Sequence, residues 1–200
     1  MQLLASNAYN ILWIGRYLAR IHCLCRYMSI QDDQQAQRIA AAFYLPAYDA
    51  SSLNALILDP EQLGSLNQLF HAVYDNIQSL RGVLSDIGYS ELNALLQHAK
   101  NNAGYICDVV NEFDDILEGE SEDLFLFFSL GQTIELLDQA LRLKEPLDDL
   151  IVAMDHLVMV LQDYHWQKFE ESWQAFKKDQ DSNHFFEMTS HLQNIFEVTV

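Results

Sequence analysis

Three observations predict an all-α fold, a single bundle of seven or eight helices spanning residues 1–200 as one domain with two weakly related halves. Half the residues are apolar, while seven Gly and three Pro are too few for the punctuation an all-β chain needs. Apolar residues recur at helical spacing in long stretches bounded by capping residues and prolines. Two of those stretches match each other in pattern, one near the start and one past the middle.

The first helix is expected over residues 2–29. Ile11, Leu18 and Cys25 form one line and Ile14, Ile21 and Met28 the next, which together make one apolar seam. The opposite face carries Tyr9, Trp13, Leu24 and Tyr27, with Arg16 and Arg20 one turn apart among them. A helix apolar on two faces is covered on both sides, so a central helix with two arginines in an aromatic wall is predicted.

Gln31 to Asp33 is a polar break, and Asp33 caps a second helix that ends before Pro46. Tyr48 to Asn54 reads as irregular. A third helix starts at Asp59-Pro60 or near Ser65 and runs through Leu84, and Asp86 to Ser90 reads as a break before a short helix to about Ala99. Asn102 to Leu117 and 122–144 follow, then a helix from Leu147 to about Lys178, bent near Tyr164 to Trp166. Ser182 or Asn183 caps the last one, toward Phe196.

Laying Leu12–Arg26 over Phe128–Arg142 aligns Gly15 with Gly131, Leu18 with Ile134, Ile21 with Leu137 and Arg26 with Arg142. A shared helical period alone carries little. A mid-helix Gly costs roughly 1 kcal/mol relative to Ala, so the coincident glycines point to a close helix crossing.

The net charge is −18, from 29 acidic against 11 basic residues. Long-range repulsion disfavours nucleic acid and anionic membrane surfaces and favours a basic partner. There is no basic region ahead of the first apolar stretch and no apolar run of about 18 residues, so no secretory signal and no membrane span are expected. Cys23, Cys25 and Cys107 have neither zinc nor framework spacing and read as buried reduced thiols in a cytoplasmic protein.

The stretch Leu4 to Arg20 resembles the opening of the alpha-E family, bacterial all-helical domains named for a repeated Glu-Arg motif. The family pattern is close to Ala-x-x-Leu-Tyr-Trp-Leu-Gly-Arg-Tyr-Leu-Glu-Arg. Trp13, Gly15, Arg16, Tyr17, Leu18 and Arg20 fit it, but Ala19 stands where the Glu belongs. Leu56 to Pro60 is similar to the family's Leu-Leu-Leu-Asp-Pro segment. Asp75, Asn76, Arg81, Leu84 and Asn93 follow its next helix and break, with Gln78 and Tyr89 where an Arg and a Trp are usual. The second motif falls at Phe128–Leu143: Gly131 and Glu135 are kept, and Leu136 replaces the Arg. The likeness covers most of Met1 to Leu143, as of a divergent and shortened member.

The resemblance implies context rather than a reaction. Such domains are typically encoded beside ATP-grasp-type amide ligases, often with transglutaminase-like peptidases. A non-catalytic accessory or binding subunit of such a peptide or amide ligase is therefore expected, with a protein partner, no cofactor and no catalytic residue assigned. The alternative is an enzyme with an Arg/Glu-lined pocket acting on a small carboxylate or peptide. Candidate ligand-binding residues are Arg16, Arg20, Arg81, Glu135, Asp75 and Asn76. Arg16 and Arg20 together can grip a carboxylate or phosphate, or simply pair with acids of the fold. No metal site is expected: bundle centres use Glu-x-x-His pairs, and His71 with Asp75 or Glu187 with His191 are isolated pairs. The aromatic run Tyr164 to Phe176 suits either a docking surface or a core helix. Finally, Arg20 is expected to reach Glu135 across the glycine crossing; the competing arrangement pairs Arg20 with Asp75 and leaves Glu135 beside Arg142.

Overall fold

The computed structural model describes residues 3–99, 102–162 and 167–197. They form ten helices: α1 (Ala5–Arg26), α2 (Asp33–Phe43), α3 (Ala50–Leu58), α4 (Leu66–Ser79), α5 (Asp86–Ala99), α6 (Ala103–Glu118), α7 (Glu122–Leu143), α8 (Asp148–Leu161), α9 (Gln167–Lys178) and α10 (Ser182–Glu197). No strand occurs among the described residues. The all-α expectation holds, but the count exceeds seven or eight for two local reasons, and one further helix starts earlier than expected.

The segment at Tyr48–Asn54 is not irregular. Asp49 accepts from the Ser52 backbone N–H at 2.7 Å, and the Ser52 hydroxyl accepts from the Asp49 N–H at 3.1 Å, which launches α3. Serine in the third position closes this capping box, where Glu or Gln is the usual signal. The following helix then takes its later start, with Ser65 as cap. Asp86–Ser90 is likewise the first turn of α5 rather than a break, begun where Ser85 Oγ accepts from the Gly88 N–H at 3.0 Å. Lastly, the long helix expected after Leu147 is two helices, α8 and α9; the bend expected at Tyr164 to Trp166 lies outside the described residues. The cap of α2 is Asp32, not Asp33, which accepts instead from the Ala50 N–H.

Helix α1 is central. It packs most extensively on α7, then on α4 and α6. Its predicted seam is fully buried at Ile11, Ile14, Leu18 and Ile21, as are Leu130, Ile134 and Leu137 of α7. The two helices touch backbone to backbone. A Cβ on Gly15 would strike the Phe128 carbonyl oxygen, and a Cβ on Gly131 would strike the Leu12 carbonyl oxygen. In the internal alignment Leu12 and Phe128 are equivalent, as are the two glycines. The crossing is therefore reciprocal, each helix offering its glycine to the equivalent carbonyl of the other.

Helix α7 is long and apolar enough to cross a bilayer, but 72 % of its apolar window is buried inside the fold, as expected of a core helix. The cysteine expectation is corrected. Cys25 and Cys107 form a disulfide joining α1 to α6, and Cys23 is a free buried thiol. Spacing within one helix could not reveal a partner 82 residues away on a neighbouring helix.

The aromatic run before Lys177 is interior where it is described: Phe169, Trp173 and Phe176 are fully buried. Trp173 Nε1 and Lys177 Nζ both donate to Asp155 Oδ1 at 2.7 Å, tying α9 to α8.

Candidate functional site

The two arginines of α1 meet one carboxylate of α7. Arg16 donates from Nε at 3.2 Å and from Nη2 at 3.0 Å to Glu135 Oε2. Arg20 donates from Nε at 2.6 Å to Glu135 Oε1, and its Nη2 lies 2.6 Å from the same oxygen. Gln139, one turn along α7, donates a further bond to Oε1 at 3.3 Å. The Glu135 side chain is only 2 % exposed, against 19 % for Arg16 and 31 % for Arg20. A buried carboxylate persists only with such partners. The arginines are held from behind by aromatic faces, Arg16 over Trp13 at 4.8 Å and Arg20 over Phe43 at 5.5 Å. Tyr9, Trp13 and Tyr17 continue that wall along α1. Burial, reinforced by Tyr9, pushes the Tyr17 hydroxyl above its ordinary value, so it stays neutral at physiological pH.

The expected Arg20–Glu135 pair is thus present, and the competing arrangement is not. Asp75 is exposed on α4 with its carboxylate 3.6 Å from His71, and Arg142 pairs with Asp138 at 2.7 Å. The alignment of α1 with α7 gives the pairing a logic. Intact Glu-Arg motifs on both helices would place two reciprocal pairs across the crossing, Glu135 with Arg20 and residue 19 with residue 136. Here position 19 is Ala and position 136 is Leu, so one whole pair is missing and the other is whole. Arg16 takes up the second oxygen of Glu135. A cleft of about 380 Å3 is lined by Ala19 and Leu136, at the position of the missing pair.

Gln78 and Tyr89 bond each other, the tyrosine hydroxyl donating to Gln78 Oε1 at 2.8 Å, and Gln78 Nε2 donates to Asn93 Oδ1 at 2.7 Å. Arg81, exposed after α4, stacks on Tyr89 at 5.8 Å. Asn76 donates its amide to the Ala72 carbonyl. Arg16, Arg20 and Glu135 are therefore brought together, whereas Arg81, Asp75 and Asn76 find their partners elsewhere.

Sequence reasoning missed two features. His22 Nε2 lies 2.9 Å from Asp114 Oδ2, and Gln132 donates to Asp114 Oδ1 at 3.2 Å, so α1, α6 and α7 share a polar row along the cleft. Nothing in the sequence marks a partner 92 residues away from His22. Cys23 lines the same cleft, yet burial pushes its thiol up to about 11, which keeps it protonated at neutral pH. The second feature is the packing of α10, a helix itself expected, over α1: its Thr189 and Ser190 close a cavity of about 160 Å3 over Trp13 and Arg16. Among the described residues no three His, Cys, Asp or Glu side chains are grouped to hold a metal ion.

Fold and site define a helical bundle clasped across its central crossing by a carboxylate shared between two arginines. The chain belongs to the Alpha-E family, described as a predicted alpha-helical domain with a conserved ER motif, whose match spans residues 3–178. That extends the likeness from Leu143 through α8 and α9. No curated protein and no solved structure matches the chain.

Proposed function

We propose that this protein is a non-catalytic accessory subunit, binding an ATP-grasp-type amide or peptide ligase or a related peptide-modifying enzyme. The observation that carries the reading is the commitment of Glu135. Both of its oxygens are occupied by arginines, and Gln139 adds a third donor group, so the motif's one remaining acid is not free for proton transfer or nucleophilic attack. An enzymatic pocket would have gathered Arg81 beside it; Arg81 instead lies on the surface against Tyr89. The choice of ligase class rests on the context that the family resemblance implies.

A docking face fits this role. Val152, Met159 and Val160 of α8 share one side of the helix and are roughly half or more exposed. Apolar patches of that kind mark interaction surfaces. The charge of −18 around it calls for a basic partner face. The test mixes the purified chain with such a ligase and follows association over a range of salt. Complex formation that slows as salt rises, and that Met159→Glu abolishes, is expected. No complex, or one indifferent to Met159→Glu, would overturn the reading.

A further inference from the structure

We propose that the cavity between α1 and α10 is a binding site for a small monocarboxylate with an apolar body, its carboxylate held by Arg16. Charge gives the first argument. At the clasp itself two guanidiniums, those of Arg16 and Arg20, share the single carboxylate of Glu135, an excess of cation within a strongly acidic chain. The guanidinium that can use this excess is Arg16. Its Nε and Nη2 serve Glu135, while its Nη1 donates no hydrogen bond among the described residues. Arg16 lines the 160 Å3 cavity and also an adjoining one of about 310 Å3, with Phe186 and Thr189 of α10 common to both.

Unused donors give the second argument. Trp13 lines the smaller cavity, and its Nε1 is buried without a hydrogen-bond partner among the described residues. A buried donor left unmade is costly, and an entering anion or acceptor relieves it. Ser190, on the facing wall, has a hydroxyl that makes no hydrogen bond among the described residues.

Shape sets the rest of the ligand. Leu12, Ile134, Leu192 and Phe196 form an apolar floor and wall. A cavity of this size matches one that admits a benzene ring, so the body is a phenyl or branched aliphatic group. A phosphate dianion fits poorly, because one uncommitted guanidinium edge faces it inside a chain of charge −18. The site lies on α1 and α10, away from the exposed α8 face, so its failure would leave the accessory role standing, and the reverse.

The test is calorimetric titration of the full chain with 3-phenylpropionate and with its neutral isostere 3-phenylpropionamide. Saturable binding of the acid, with the amide weaker by about tenfold or more, is expected for a charge-assisted contact. Trp13→Phe keeps a smaller aromatic ring and removes the N–H; Ser190→Ala removes the hydroxyl; neither side chain bonds Glu135. Each should weaken the acid about threefold to tenfold. Equal affinity for acid and amide, no saturation below about 10 mM acid, or acid binding unaltered in both variants would overturn the site.

Discussion

Replacing Gly131 by Ala sets two effects of opposite sign against each other. In an exposed helix the change gains about 1 kcal/mol, because Ala orders its backbone more cheaply than Gly. At the crossing, the new Cβ falls on the Leu12 backbone, overlapping its carbonyl oxygen and lying 2.8 Å from its carbon and 3.1 Å from its Cα. These are main-chain atoms of a buried helix and cannot rotate aside. To restore contact the helices must part by about an ångström, and overpacking of this kind costs roughly 1–3 kcal/mol. The same displacement stretches the Arg20–Glu135 bonds, now 2.6 Å, beyond hydrogen-bonding reach. The second loss brings the net destabilisation to about 3 kcal/mol. Gly82 is the control, since a Cβ there meets nothing within 4 Å and its φ is not positive, so Gly82→Ala should be neutral or slightly stabilising. Urea unfolding of both variants decides. A Gly131→Ala protein as stable as the wild type would refute the close crossing.

Three further outcomes are expected. Reducing the Cys25–Cys107 disulfide, or changing Cys107 to Ser, should cost about 2–4 kcal/mol, because the bond closes a loop spanning 82 positions; identical melting with and without reductant would contradict it. Asp155 is pushed up by partial burial but held lower overall by hydrogen bonds from Lys177 and Trp173, so its folded pKa lies below the unfolded one. Its stabilisation is then complete above the unfolded value near ~3.9 and lost as pH falls through the folded value; melting curves of wild type and Asp155→Asn should converge in acid and stay apart at neutral pH. Restoring the missing pair with Ala19→Glu and Leu136→Arg should cost less together than the sum of the single changes, by about 1–2 kcal/mol in urea unfolding, whereas strict additivity would deny that these positions face each other.

The fold class and the crossing were legible because they rest on local pattern. The seam Ile11–Ile14–Leu18–Ile21 has helical spacing, and the coincidence of Gly15 with Gly131 is a mid-helix anomaly whose ready explanation is close approach. Glu135 was found as a partner of Arg20 because a lone buried charge is too costly to keep. Arg16 as its second partner was not legible, since one turn of α1 fixes only that the two arginines share a face. Helix α3 was hidden by a capping box closed with Ser52, and the start of α5 by Gly88, which reads as a breaker but sits buried in the first turn. The disulfide, the His22–Asp114 contact and the cover that α10 lays over Trp13 all join distant positions. Such contacts leave no trace in spacing; they follow from how the helices pack.

Whether Glu135 clasps the two related helices is read most directly by double-mutant cycles, with urea unfolding as the measurement. Glu135→Gln leaves two arginines facing each other across a partly buried gap, and should cost about 3–5 kcal/mol. Arg20→Met alone should cost less, because Arg16 continues to neutralise the carboxylate at 3.0 Å. Cycles pairing Glu135→Gln with Arg16→Met and with Arg20→Met should each show a coupling of about 1–2 kcal/mol, while a cycle with Asp75→Asn should show none. A cost below about 1 kcal/mol for Glu135→Gln, or additivity with both arginines, would contradict the clasp.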